Sequence, residues 1–128
     1  MKLTLSECFV PEGKECIREM GGAKPIVNLL SCTDANVRSR AVGALHNLSS
    51  DLKVVSDLRD YGAIPDLIHL LRDPIQQIAA SAAGCLQNIS REEKSRSSIE
   101  ECGGVSPLMD LLFVNHLAGQ TCAAGALL

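Results

Sequence analysis

Apolar positions along this chain recur at helical spacing. They fall at Val37, Ala41, Leu45 and Leu48, and further on at Ile78, Ala82, Leu86 and Ile89. Steps of three and four put such residues on one face of a helix, whereas a half-buried strand alternates. No stretch alternates, so the pattern predicts an all-α fold. Two shorter helical segments precede each of these longer ones. The first is "PEGKECIREMG", "DLKVVSDLRDYG" and then "EEKSRSSIEECG", each closed by a Gly able to take the left-handed conformation that ends a helix. The second carries Pro25, Pro65 or Pro107 in its opening turn, where a missing N–H costs little, and closes on a Leu-Leu pair. The third helices are expected near residues 34–49, 75–90 and 116–128, with Thr33 and Asp73 as N-caps and Pro74 at a first helical position.

These segments repeat at a fixed interval. "GGAKPIVNLL" begins at Gly21, "GAIPDLIHLL" at Gly62 and "GGVSPLMDLL" at Gly103, 41 residues apart each time. In the same register stand Ala41, Ala82 and Ala123; Gly43, Gly84 and Gly125; Leu45, Leu86 and Leu127; and Asn47 and Asn88. Between residues 21–49 and 62–90, 8 of 29 positions are identical, more than chance gives at one offset. A period of this length indicates a solenoid, in which each unit stacks on its neighbour. The period divides the chain into 1–10, the end of a preceding repeat and a linker; full repeats at 11–50 and 51–91; and 92–128, a repeat cut short at its C-terminus.

Composition narrows the setting. At 128 residues with 46% hydrophobic but only 2% aromatic residues, the core must be built from Leu, Ile, Val and Ala. A formal net charge of −3 argues against nucleic acid, whose phosphates call for a basic footprint. No apolar run is long enough for a membrane span, and "MKLTLSECFV" is too polar for a signal peptide. The chain reads as intracellular, cytoplasmic or nuclear. Its cysteines, Cys8, Cys16, Cys32, Cys85, Cys102 and Cys122, have no Cys-x-x-Cys spacing for zinc or redox work and read as structural thiols. In that compartment the Asn-x-Ser sequences at Asn47 and Asn88 would not be glycosylated. His46, His69 and His116 occupy different repeat positions and do not converge on a metal. No catalytic residues, cofactor or small-molecule substrate are expected.

The run Gly-Ala-Ile-Pro-x-Leu-Ile-x-Leu-Leu, a polar turn, and a small-residue helix ending Leu-x-Asn-(Leu or Ile)-Ser resembles the armadillo repeat over residues 11–128. The resemblance implies an α-solenoid of three-helix units wound as a right-handed superhelix. It also implies a protein-interaction scaffold whose third helices line a concave groove for an extended peptide segment of a partner. The family's groove asparagine carries over to Asn47 and Asn88. A carboxamide offers a donor and an acceptor to a peptide backbone, and helices packed about 8–10 Å apart could clamp one every two or three residues. A competing role for these amides is to link adjacent repeats. In the groove role, either Asn could be replaced by Ala at a cost of about 1 kcal/mol or less.

Helical spacing back from each Asn completes the candidate groove: Gly43, Arg40 and Asn36 in one repeat, and Gly84, Ser81 and Gln77 in the next. The third repeat contributes Gly125, Cys122 and Ala118. Nuclear-import adaptors of the family carry Trp where Gly43, Gly84 and Gly125 stand. Without indole walls there are no slots or cation–π contacts for Lys side chains, so a nuclear localisation signal is not the expected ligand. A basic groove like that of catenin-type arrays is absent too; Arg40, with His46 beside it, is the only candidate contact for an acidic partner. Alternative functions are a structural segment of a cytoskeletal or axonemal assembly, or the recruiting arm of a larger enzyme such as a ubiquitin ligase. Uncapped repeat faces at both ends predict that the isolated chain self-associates.

Overall fold

The computed structural model describes residues 22–113 and 117–127. The expected segment 1–10, the first helix of the first repeat, Gly21, Cys8, Cys16 and His116 lie outside them. The described residues form eight α-helices and no strand. They are α1 (Ala23–Asn28, continued by a 3-10 turn over Leu29–Ser31), α2 (Ala35–Leu48), α3 (Leu52–Asp60), α4 (Ala63–Leu70), α5 (Gln76–Ile89), α6 (Glu93–Glu101), α7 (Val105–Leu111) and α8 (Leu117–Leu127). The third helices of successive repeats are therefore α2, α5 and α8, and they pack side by side. The architecture is an all-α solenoid.

Local chemistry sets the boundaries. Gly62 and Gly103 have φ of 78° and 76°, the left-handed conformation that only glycine adopts cheaply, and each turns the chain from a first helix towards a second. Pro25, Pro65 and Pro107 each stand third in their helices. The cap of α2 is Asp34 rather than Thr33: its Oδ1 accepts from the N–H groups of Asn36 and Val37 at 2.8 and 3.3 Å. Nor does α5 begin at Pro74. Asp73 accepts the N–H of Ile75 at 3.0 Å in a turn that precedes the helix. Its other carboxylate oxygen is held by Arg38 Nε at 3.0 Å, in a cross-repeat ion pair, and Ile75 is the N-cap of α5. The Arg38 guanidinium also donates to the carbonyls of Cys32 and Thr33, both at 3.0 Å.

The apolar periodicity becomes the core. Ala41, Leu45, Leu48, Ile78, Ala82, Leu86, Ile89 and Ala123 are all completely or nearly completely buried, whereas Val37, in the first turn of α2, is only partly buried; the four described cysteines are free thiols. Stacking does much of this burying. In the middle repeat Ile64 and Ile68 are 2% and 8% exposed, and Ile68 Cδ1 lies beside Gly104 of the following repeat. One period on, Val105 and Met109 are 48% and 45% exposed, because no described residue covers them. Leu45→Ala or Leu86→Ala should each leave a cavity in a close-packed interior and cost about 2–5 kcal/mol. Urea unfolding checks this, and a loss well under 1 kcal/mol would show that these leucines do not carry the core.

Candidate functional site

The third helices put their polar stripe opposite the buried face. Asn36, Arg40, Gly43 and Asn47 are separated by four, three and four residues and so share one side of α2; Gln77, Ser81, Gly84 and Asn88 do the same on α5. Asn36, Arg40 and Gln77 are exposed; Gly43, Asn47, Ser81 and Asn88 are half-buried; Gly84 is buried. On α8 the stripe continues with Ala118, Cys122 and Gly125. No carboxylate lies on α2, α5 or α8. Among the described residues Arg40 has no ion-pair or hydrogen-bond partner, whereas Arg38, on the far side of the same helix, is tied to Asp73. Two open clefts of about 400 and 330 Å³ lie elsewhere, along the edge where second helices turn into third ones, and neither includes Asn47 or Asn88.

The two asparagines differ. Asn88 Nδ2 donates to the carbonyl of His46 at 3.2 Å and to Ser49 Oγ at 3.1 Å, both in the preceding repeat. Ser49 is completely buried, and its hydroxyl donates to that same His46 carbonyl at 2.8 Å. The Cys85 thiol also hydrogen-bonds Ser49; burial pushes the thiol up to about 12, with that bond acting the other way. Arg91 closes the end of the joint, donating from Nη2 to the carbonyls of Ser49 and Ser50 at 3.2 and 2.9 Å and from Nε to that of Asn88 at 3.1 Å. On the first-helix side Arg59 pairs with Glu92. The donor half of the Asn88 amide thus links repeats, and among the described residues its Oδ1 accepts no hydrogen bond. Asn47 Nδ2 is buried and has no acceptor among the described residues.

The glycines at positions 84 and 125 also have a spatial reason. A Cβ placed on Gly84 would fall 2.5 Å from His46 Nε2, and one on Gly125 would collide with the Gln87 amide. The residue before each Asn therefore lies against the next repeat's glycine. Burial pushes the His46 imidazole below its ordinary value. Sequence reasoning gave the serine of the repeated phrase a packing or capping role, but missed Gln87 and Arg91 and assigned His46 no part in the joint. The available signal was the serine two residues after each Asn, Ser49 and Ser90, whose hydroxyls bond His46 and Gln87 carbonyls alike, at 2.8 and 2.6 Å. Among the described residues no three His, Cys, Asp or Glu side chains gather as metal ligands, and no helix is long and apolar enough to cross a membrane.

A family model described as the Armadillo/beta-catenin-like repeat matches residues 11–50 and 53–91. No curated protein matches. Among solved structures, an engineered protein superposes with a TM-score of 0.91 at 29% identity, over 96% of this chain and 51% of that one. A designed armadillo repeat protein in complex with the peptide (KR)4 gives 0.88 at 27%, over 95% and 53%. Computationally designed armadillo repeat proteins for modular peptide recognition give 0.86 at 26%, over 91% and 50%. The chain spans about half the length of these structures.

The unequal bonding of the two amides predicts unequal costs. Asn88→Ala removes two hydrogen bonds from a buried joint and should lower stability by about 1–2 kcal/mol, more than the sequence alone suggested. Asn47→Ala should cost about 0.5 kcal/mol or less. Paired urea titrations check the order, and equal losses would contradict it.

Proposed function

The chain belongs to the armadillo/beta-catenin-like repeat family, and on that basis we propose that it is a non-enzymatic scaffold that holds an extended peptide segment of a protein partner along α2, α5 and α8. The observation that carries this reading is the stripe itself: the amides Asn36 and Gln77, and Asn47 and Asn88, recur one period apart on α2 and α5, on the side away from the core. Asn36, Gln77, Ser81, Asn47 and Asn88 are the proposed contacts, with Arg40 at one side and Gly43 and Gly84 keeping the surface low enough for a backbone to approach. The two bonds made by Asn88 Nδ2 hold its amide still, so that Oδ1 can accept a ligand N–H without first being ordered. Pre-ordering of this kind lowers the cost of binding. The similar designed structures, one of them bound to (KR)4 and another described as made for modular peptide recognition, support the reading.

A peptide selected on the wild-type chain from a display library supplies the probe. Calorimetric titration should show the Asn47→Ala/Asn88→Ala double variant binding it about 2–3 kcal/mol more weakly, roughly 1 kcal/mol or slightly more per lost backbone contact, with the chain still folded. The peptide (KR)4 should bind poorly or not at all, since α2, α5 and α8 offer Arg40 but no carboxylate to a basic ligand. Unchanged affinity in the folded double variant would remove the groove role of the asparagines.

A further inference from the structure

We propose that the joint between α2 and α5 is proton-sensitive: protonation of His46, whose ring fills the space that Gly84 leaves open, loosens the stack that carries Asn47 and Asn88, whereas the following joint, filled by Gln87 against Gly125, is indifferent to pH. The inference concerns the fold and does not depend on the peptide-binding reading.

Three observations carry it. The His46 ring is wedged between two third helices, close enough to Gly84 that not even a methyl group would fit. The same residue's backbone carbonyl receives both Asn88 Nδ2 and Ser49 Oγ, so any displacement of His46 disturbs the polar contacts that join the repeats. Finally, among the described residues the helices packed on α2 offer imidazolium no counter-charge. The elements packed on α2 are α1 with its 3-10 turn, and α5. The first brings only Lys24, and α5 brings no charge, its one titratable group being the buried Cys85 thiol. On α2 itself the charges are Arg38 and Arg40, and the turn after α5 adds the Arg91 guanidinium at the carbonyls of Ser49 and Ser50. All of these charges are cations. The carboxylates that flank α2, Asp34 and Asp51, each cap a helix N-terminus instead.

The direction follows from linkage. Burial holds His46 below its ordinary value in the folded chain, so the unfolded chain binds the proton first. Stability is then complete above the unfolded value of about 6.5 and declines as the pH falls through it towards the lower folded value. The repeat itself supplies the control, because position 87 shows that glutamine occupies this site against a glycine.

The test is urea unfolding of the whole chain at pH 7.5 and 5.5, for wild type, His46→Gln and Gln87→His, together with an NMR titration of the His46 ring in the wild type. His46 should titrate below about 6.5. Acidification should raise the wild-type unfolding constant more than it raises that of His46→Gln, since a folded value below the unfolded one makes each bound proton favour the unfolded chain. Gln87→His should add a similar increment of its own. The proposal is overturned if wild type and His46→Gln share one pH dependence, if Gln87→His adds nothing, or if His46 titrates at or above about 6.5. Should either variant not fold, the wild-type ring titration decides alone.

Discussion

A single three-helix unit of this chain cannot hide its own apolar residues. Ile64 and Ile68 are buried because another repeat lies on them, and Val105 and Met109, the same positions one period later, stand half in water. Burial of this kind is worth roughly 1.5–3 kcal/mol per large aliphatic side chain, so neighbouring repeats stabilise one another more than any one stabilises itself. The 41-residue period follows from that constraint, since each unit must present the same face to the next. The near-absence of aromatic side chains fits it too, because Leu, Ile, Val and Ala let the third helices of successive repeats lie close together.

Close approach imposes a second requirement. A buried hydroxyl or carbonyl between two third helices must find a partner, and leaving one unpaired costs more than the bond itself contributes. At the described joint the partners come from across the boundary: Asn88 reaches Ser49 and His46, and Arg91 reaches the carbonyls that end α2. The recurring Asn-x-Ser phrase is thus a structural device in its own right. At Asn88 it fixes one repeat on another and, in the same act, orients an amide on the surface where an extended ligand is proposed to lie. Of the two roles first weighed for this asparagine, linking the repeats is carried by Nδ2 of Asn88, and the proposed ligand contact would fall to its Oδ1.

How much of this was legible beforehand varies with the range of the interactions involved. The period, the three-helix unit and core residues such as Leu45 and Leu86 depend on spacing within a helix, which a sequence displays directly. Gly62 and Gly103 were legible because a left-handed turn needs glycine. The N-cap of α2 was misplaced by one residue, since Thr33 and Asp34 are both suitable and only geometry separates them. The third helix expected near 75–90 runs from Gln76 to Ile89; only its cap was misassigned, since Asp73 bonds the Ile75 N–H in the preceding turn and pairs with Arg38, 35 residues away. The glycines at 84 and 125 were noticed as missing tryptophans, but not that His46 and Gln87 occupy their space, because that contact depends on how far apart two repeats settle. The candidate groove was read from helical spacing; along it Asn36, Arg40 and Gln77 are exposed, while Gly84 is buried under the preceding repeat's His46.

Amide hydrogen exchange under native conditions tests the dependence on stacking most directly, because it reports the opening free energy of each helix separately. Amides at the core positions of α2 and α5 should exchange slowest and together, at the free energy of global unfolding, while those of α8, whose repeat leaves Val105 and Met109 uncovered, should exchange faster through local opening. If α8 were as protected as α5, or if α2 and α5 opened independently of each other, the repeats would be stable without their neighbours and the dependence on stacking would be contradicted.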